Sequence, residues 1–172
     1  MGNLTLNHSS VVRLNQSLAG VLQGLRRESL DTDLIERISI ASVQTYVDAL
    51  SIDEDEDKIR PESKLIQDLG AESIDFLDIN FRLEKSFDVK IPRSYPLIVL
   101  EFPDYMTQPG GRLNNSGIKF IRETYPYLFV GLNDEGQDRF SCGDLNALRE
   151  NLNVLGVACG LYNLISESPG KK

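Results

Sequence analysis

Apolar residues recur at helical spacing from near the start of the chain. Leu14, Leu18, Val21, Leu22 and Leu25 predict a helix over about 11–27, and Arg26 and Arg27 suit its C-terminal end. A second run, Ile35, Ile38, Ser42, Tyr46 and Leu50, predicts a helix over about 33–50 with Asp31 or Asp33 as its cap. A tyrosine buried on that face needs a hydrogen-bond partner or a path to water. A long acidic loop containing Pro61 follows. It ends in Lys64-Leu65-Ile66-Gln67-Asp68-Leu69-Gly70, whose apolar residues are expected to fold back onto the core, with Gly70 as a turn. The next run opens at Ser73 and lines up Ile74, Leu77, Phe81 and Leu83 or Lys85 before Phe87. Asp75 and Asp78 fall in its first turns, where the helix dipole favours negative charge, and Pro92 closes the segment.

From Arg93 onward the periodicity is interrupted by Pro96, Pro103, Pro109, Gly110 and Gly111. A short helix is predicted over about 115–125, capped by Asn115 or Ser116, with Pro126 just past its end. Cys142 to Asn151 reads as another helical stretch. The last helix runs from about 153 to 165, with Leu155, Ala158, Tyr162 and Ile165 on one face. Gly156 and Gly160 weaken it by about 1 kcal/mol each relative to Ala. The tail from Ser166 is polar and expected to fray. The predicted elements are all helical, so the fold class is all-α, and no internal repeat is visible.

Charge adds a functional constraint. The chain has 172 residues and a formal net charge of −8. Residues 31–92 hold 16 acids and 7 bases, a net of −9, while the rest holds 10 acids and 11 bases, a net of +1. A surface of this kind repels nucleic-acid phosphates and attracts basic proteins. The run Asp53 to Asp57 is no calcium loop, because Lys58 and Lys64 stand where Gly and Glu are needed. Cys142 and Cys159 match no zinc spacing and are expected to be reduced core residues. The single His, His8, leaves no His-based triad or His-rich metal site. No basic-then-apolar leader is visible, and apolar runs such as Leu97 to Leu100 are far too short to span a bilayer. A cytoplasmic protein without membrane insertion, nucleic-acid binding or metal is expected.

One string concentrates the chemistry: Asp68-Leu69-Gly70-Ala71-Glu72-Ser73-Ile74-Asp75. Ser73 reads as a helix N-cap, although Phe76 stands where a capping box needs Glu or Gln. As a nucleophile in its own right Ser73 has no activating His, Lys or Cys in the string. Chemistry at this hydroxyl therefore means modification by another enzyme. No catalytic residue and no enzymatic activity of the chain itself are expected.

The string resembles that of acyl carrier proteins, small helical proteins that bear a 4′-phosphopantetheine arm. The family's usual pattern is Asp-Leu-Gly-Ala-Asp-Ser-Leu-Asp, an acidic helix, then a Phe-Asp-x-x-Ile-Pro exit. Here Leu77-Asp78, Leu83-Glu84, Phe87-Asp88 and Ile91-Pro92 continue the match, which covers about residues 31–92. The resemblance implies an acyl-carrier-like four-helix bundle with an extra N-terminal helix and an inserted loop and helix segment. The organisation expected is an extension at 1–30, a carrier domain at 31–166 and a disordered tail at 167–172. Within the domain, the core spans 31–92, an insertion about 93–140 and a closing helix about 153–165.

The resemblance also implies that Ser73 is the attachment serine, loaded from coenzyme A by a phosphopantetheinyl transferase. Acyl intermediates would then travel as thioesters to ketosynthases, reductases, dehydratases or acyltransferases of fatty-acid or specialised lipid or polyketide biosynthesis. By motif position, Glu72, Asp75, Asp78 and Glu84 are the partner-docking acids. From periodicity, Ile38, Tyr46, Leu65, Ile66, Leu77 and Phe81 are expected in the core and around any acyl cavity. A monomer is expected. The chain departs from the family at Glu72, Arg82 and Lys85, and carries bulky Phe76 and Phe81, all of which bear on partner choice or the acyl pocket. Gly111 to Pro126 looks like an insertion of some specialised bacterial carriers and points to a dedicated pathway. Gly-Ala-Glu-Ser, in place of the Gly-Gly-x-Ser of peptidyl carriers, favours an acyl cargo. The alternative is an unmodified interaction module on the same fold, with the extension and insertion as its partner surface.

Overall fold

A computed structural model describes residues 9–25, 29–53, 58–92, 95 and 104–167. Arg26, Arg27, most of the acidic run, the stretch around Pro96 to Pro103 and the last five residues lie outside the described residues. Helix α1 (Ser9–Leu25) starts two residues before the apolar pattern predicts. Val11, Leu14, Leu18 and Leu22 form one buried stripe pressed against α2 (Thr32–Leu50) and α7 (Val154–Ser166). Each such leucine contributes about 2 kcal/mol on burial.

Asp31 caps α2: its backbone is extended and its carboxylate accepts the Leu34 N–H at 2.9 Å. Asp33 lies in the first turn, where its charge meets the dipole. The buried stripe of α2 is wide, running from Leu34, Ile35 and Ile38 to Val43, Tyr46 and Val47. The width follows from three neighbours, since α1, α3 (Ser73–Phe87) and α7 all pack on it. Leu50 is only partly buried, and the helix ends at Ser51 in the left-handed region. The hydroxyl of Tyr46 is fully buried and has no hydrogen-bond partner among the described residues. Burial pushes its phenol well above the ordinary range.

Residues 58–72 form no helix, yet they are held firmly. Ile59, Leu65, Leu69 and Ala71 are buried. Leu155 N–H donates to the Pro61 carbonyl at 2.8 Å, Val154 N–H to the Ser63 carbonyl at 3.0 Å, and Leu65 N–H to the Leu152 carbonyl at 2.9 Å. The loop is thereby sewn to the start of α7. Gly70, at φ 72°, then makes the turn that delivers the chain to α3.

The segment between α3 and α7 departs most from the sequence pattern. Strands β1 (Thr107–Gln108) and β2 (Arg112–Leu113) pair antiparallel, Thr107 with Leu113 and Gln108 with Arg112. Two-residue strands leave no alternation to detect. Helix α4 (Asn115–Thr124) is capped by Asn114, whose Oδ1 accepts from Ser116 and Gly117 N–H at 2.9 and 3.1 Å, rather than by Asn115 or Ser116. A 3-10 turn follows at Pro126–Phe129. Helix α5 (Asp134–Ser141) was not foreseen, although an Asn133 cap and two first-turn acids signal it. Cys142 to Asn151 is not one helix: Gly143 at φ 84° breaks it and leaves α6 (Asn146–Asn151). Arg139 ties α5 to α6, meeting Asp144 at 2.8 Å and Glu150 at 2.6 Å. Cys142 is exposed, contrary to its expected core role. Cys159 is buried, and burial pushes its thiol up to about 12.

Helix α7 closes the bundle. Val154, Val157, Ala158, Leu161, Tyr162 and Ile165 are buried, whereas Leu155 is only partly so. The Tyr162 hydroxyl accepts the Asp31 N–H at 2.9 Å and fixes the start of α2. No helix among the described residues is long and apolar enough to cross a membrane. The two glycines that weaken α7 have a packing role. A Cβ on Gly156 would lie 2.9 Å from the Tyr127 carbonyl oxygen, and one on Gly160 would lie 2.9 Å from the Tyr127 ring. Only a bare backbone lets the Pro126–Phe129 turn lie against α7.

Helix propensity alone would make Gly160→Ala stabilising by about 1 kcal/mol. The contact with Tyr127 reverses the sign. We expect urea denaturation to show a loss of about 1–2 kcal/mol from overpacking, and a gain would contradict this account of the glycine.

Candidate functional site

Helix α3 opens one residue earlier than a serine cap would have it. Glu72, in extended backbone, is the N-cap, and Ser73 is the first helical residue. The Asp75 carboxylate accepts the Glu72 N–H at 2.7 Å, and the Asp75 N–H donates to the Glu72 carbonyl at 3.0 Å. Two acids thus do the capping that Ser73 was expected to do. Phe76 is buried instead. The chain is anchored through buried Ala71, then surfaces, so Glu72, Ser73 and Ile74 are exposed. First-turn N–H groups of a helix have no carbonyl one turn back, and the positive end of the dipole lies there. An exposed hydroxyl in that position fits a phosphate ester, which those N–H groups would face.

The face of α3 that points inward is Phe76, Ile79, Asn80, Leu83 and Phe87. The sequence reading had chosen the other stripe. Ile74, Leu77 and Phe81 are 69%, 58% and 64% exposed. Both stripes have helical spacing, so periodicity does not separate them. Charge does: turning Leu77 and Phe81 inward would take Asp78 and Lys85 with them and strip both of water. The inner stripe carries a single amide, Asn80. Ile66 is also exposed, at 42%, because the tight turn sends Leu65 and Leu69 inward and Ile66 outward. Ile66, Leu77 and Phe81 are therefore not core residues. Ile38, Tyr46 and Leu65 are fully buried.

The expected docking acids are already engaged within the chain. Asp75 serves the helix start. Asp78 accepts from Arg82 Nε at 2.8 Å, and Arg82 also reaches Asp48 at 3.4 Å on α2. Glu84 is the clearest departure: its Oε1 accepts the Ile91 N–H at 2.9 Å, with Lys90 at 3.7 Å. That contact holds the chain where it leaves α3 through Asp88, which sits at φ 52°. Beside these acids the structure exposes an apolar row, Ile74, Leu77 and Phe81, which the motif comparison did not single out. Among the described residues no group of His, Cys, Asp and Glu could hold a metal ion.

Fold and site together define a helical bundle that presents one serine at the head of a helix with an exposed apolar and acidic face. The chain is 52% identical over 51 residues to an acyl carrier protein of Campylobacter lari, covering 30% of this chain and 64% of that protein. It is 58% identical over 38 residues to the acyl carrier protein AcpXL of Brucella melitensis biotype 1, covering 22% of this chain and 41% of that one. It is 50% identical over 48 residues to an acyl carrier protein of Campylobacter jejuni subsp. jejuni, covering 28% and 60%. The chain spans less than two thirds of the length of each of these relatives. No family model and no solved structure matches it. Over the stretch they cover, these similarities liken the chain to acyl carrier proteins.

If Glu84 acts inside the molecule, Glu84→Ala leaves the Ile91 N–H without its acceptor. The expected loss of stability is about 1–2 kcal/mol by urea denaturation. An unchanged midpoint would return Glu84 to the docking surface.

Proposed function

We propose that the chain carries acyl groups on a 4′-phosphopantetheine arm esterified to Ser73. The observation that carries this reading is the exposed Ser73 at the first position of α3, inside the string from Asp68 to Asp75. When bound, the arm supplies a thiol that holds an acyl group as a thioester. The protein supplies the rest. Ala71 and Gly70 fix the approach to the serine, and the first turn of α3 receives the phosphate charge. In the loading step the Ser73 oxygen forms a new P–O bond to the phosphopantetheine phosphorus of coenzyme A. The bond to adenosine 3′,5′-bisphosphate breaks, and the serine proton passes to the transferase.

Delivery depends on the outer face of α3. Ile74, Leu77 and Phe81 offer apolar area beside Ser73, and Glu72, Asp75 and Asp78 supply a negative rim. A partner with a shallow apolar patch ringed by Arg or Lys fits this face. The ion pairs within α3 lower the free charge of the rim, so the apolar row supplies much of the affinity. Contacts of this size suit a carrier that must leave as readily as it arrives. The cytoplasmic setting and a dedicated lipid or polyketide pathway belong to the same proposal.

Incubation with coenzyme A and a broad-range phosphopantetheinyl transferase should add the mass of one phosphopantetheine, and Ser73→Ala should abolish the gain. A bare wild-type chain after exhaustive treatment would overturn the reading. Leu77→Gln and Phe81→Gln should lower kcat/KM for loading about tenfold each without loss of helix content by circular dichroism, the equivalent of about 1.4 kcal/mol of contact. Unchanged loading kinetics would remove the apolar row from the docking surface.

A further inference from the structure

We propose that the cleft between the Pro126–Phe129 turn and α7 is a binding site for an organic cation of the alkylated-ammonium class. Its volume is about 420 Å³. Three separate parts of the chain build it: Tyr95 beyond the exit of α3, Tyr125 and Tyr127 just after α4, and Gly160 and Asn163 of α7. None of its lining residues belongs to α3 or to the string around Ser73, so the site stands apart from the carrier reading.

The tyrosines form a corner. The rings of Tyr125 and Tyr127 stand at 88° with their centroids 6.2 Å apart, and Tyr95 adds a third ring 6.1 Å from Tyr127, tilted by 50°. Each ring is held by a contact of its own. Phe120 meets Tyr125 at 6.1 Å and 81°, Tyr127 lies against the bare backbone of Gly160, and the Tyr95 hydroxyl donates to the Val157 carbonyl. Tyr95 and Tyr127 are buried, and Tyr125 is partly so. Walls fixed in this way lose little freedom when a ligand enters. Burial, and then Tyr125 beside it, push the Tyr127 phenol above its ordinary range, so the aromatic wall is neutral.

Charge selects the ligand. Glu123 and Glu167 also line the cleft, and among the described residues no Lys, Arg or His does. Glu123 has Lys119 at 3.8 Å, but both side chains are exposed, and such a pair contributes little. An anion would meet two like charges with no cation to offset them. A cation meets both carboxylates and the negative faces of aromatic rings. The walls narrow the kind of cation. A primary ammonium holds its water strongly, and phenol rings offer it no equivalent replacement. A guanidinium is planar and stacks on a single ring. Two rings at a right angle instead wrap a rounded, weakly hydrated group on two sides, which is the shape of a trimethylammonium. That group occurs on free choline and on the head of phosphatidylcholine.

The test titrates the isotope-labelled full chain with choline chloride at constant ionic strength and follows the amide resonances by NMR. Choline should shift Tyr125, Tyr127, Gly160 and Asn163 saturably, with a Kd on the order of 1 mM, as a few weak cation–ring contacts supply. Its neutral carbon isostere, 3,3-dimethylbutanol, should bind about tenfold more weakly. Tyr125→Leu should weaken choline about tenfold, with folding checked by circular dichroism. The double variant Glu123→Gln, Glu167→Gln alters only exposed side chains and should weaken choline about threefold at low salt. Phosphatidylcholine vesicles separate the two sources of the group: co-sedimentation that choline reverses assigns the lipid head, and its absence assigns the free cation. Equal binding of the isostere would reduce the cleft to an apolar hollow and overturn the site. So would the lack of a saturable shift in the cleft, or a choline affinity that survives Tyr125→Leu or the double variant. The titration needs no arm on Ser73, so its result and the mass measurement of loading are read separately.

Discussion

Helix α3 has two apolar stripes and can bury only one. Burying Phe76, Ile79, Leu83 and Phe87 leaves Asp78 and Lys85 in water, and it turns Ile74, Leu77 and Phe81 outward beside Ser73. The desolvation cost of a single charged side chain exceeds what one exposed leucine or phenylalanine gains on burial. Much of the proposed docking surface follows from that choice. The same rotation that completes the core creates an apolar face next to the serine, and the site is a by-product of how the helix packs.

The acids around the serine show a related economy. Asp75 holds the N-terminus of α3, Asp78 anchors Arg82 against α2, and Glu84 secures the exit toward Ile91. Each residue stabilises the helix that displays it. Their negative field still reaches solvent, so structure and long-range attraction draw on the same carboxylates.

The extent to which the sequence was readable varied with the reach of the forces involved. Helices α1, α2 and α7 were legible because their apolar stripes are long and their caps local, as with Asp31. The start of α3 at Ser73 was legible because the string around it is contiguous. The inner face of α3 was not, because two stripes share one period and only the charged neighbours of each decide between them. The hairpin from Thr107 to Leu113, the break at Gly143 and the role of Gly160 depend on contacts across the fold. A glycine in a helix reads as weakness until Tyr127 is seen lying on it. Tyr46 was placed inside from periodicity alone, but its missing hydrogen-bond partner is a property of the packed interior.

The backbone pairing of Pro61, Ser63 and Leu65 with residues 152–155 links segments about ninety positions apart in the chain. Long-range pairing of this kind forms late, since the intervening loop must close first. During synthesis the turn that presents Ser73 has no support until α7 has left the ribosome. A nascent chain therefore exposes an unanchored serine loop, and the helix start at Ser73 takes its final shape only after the closing helix has docked.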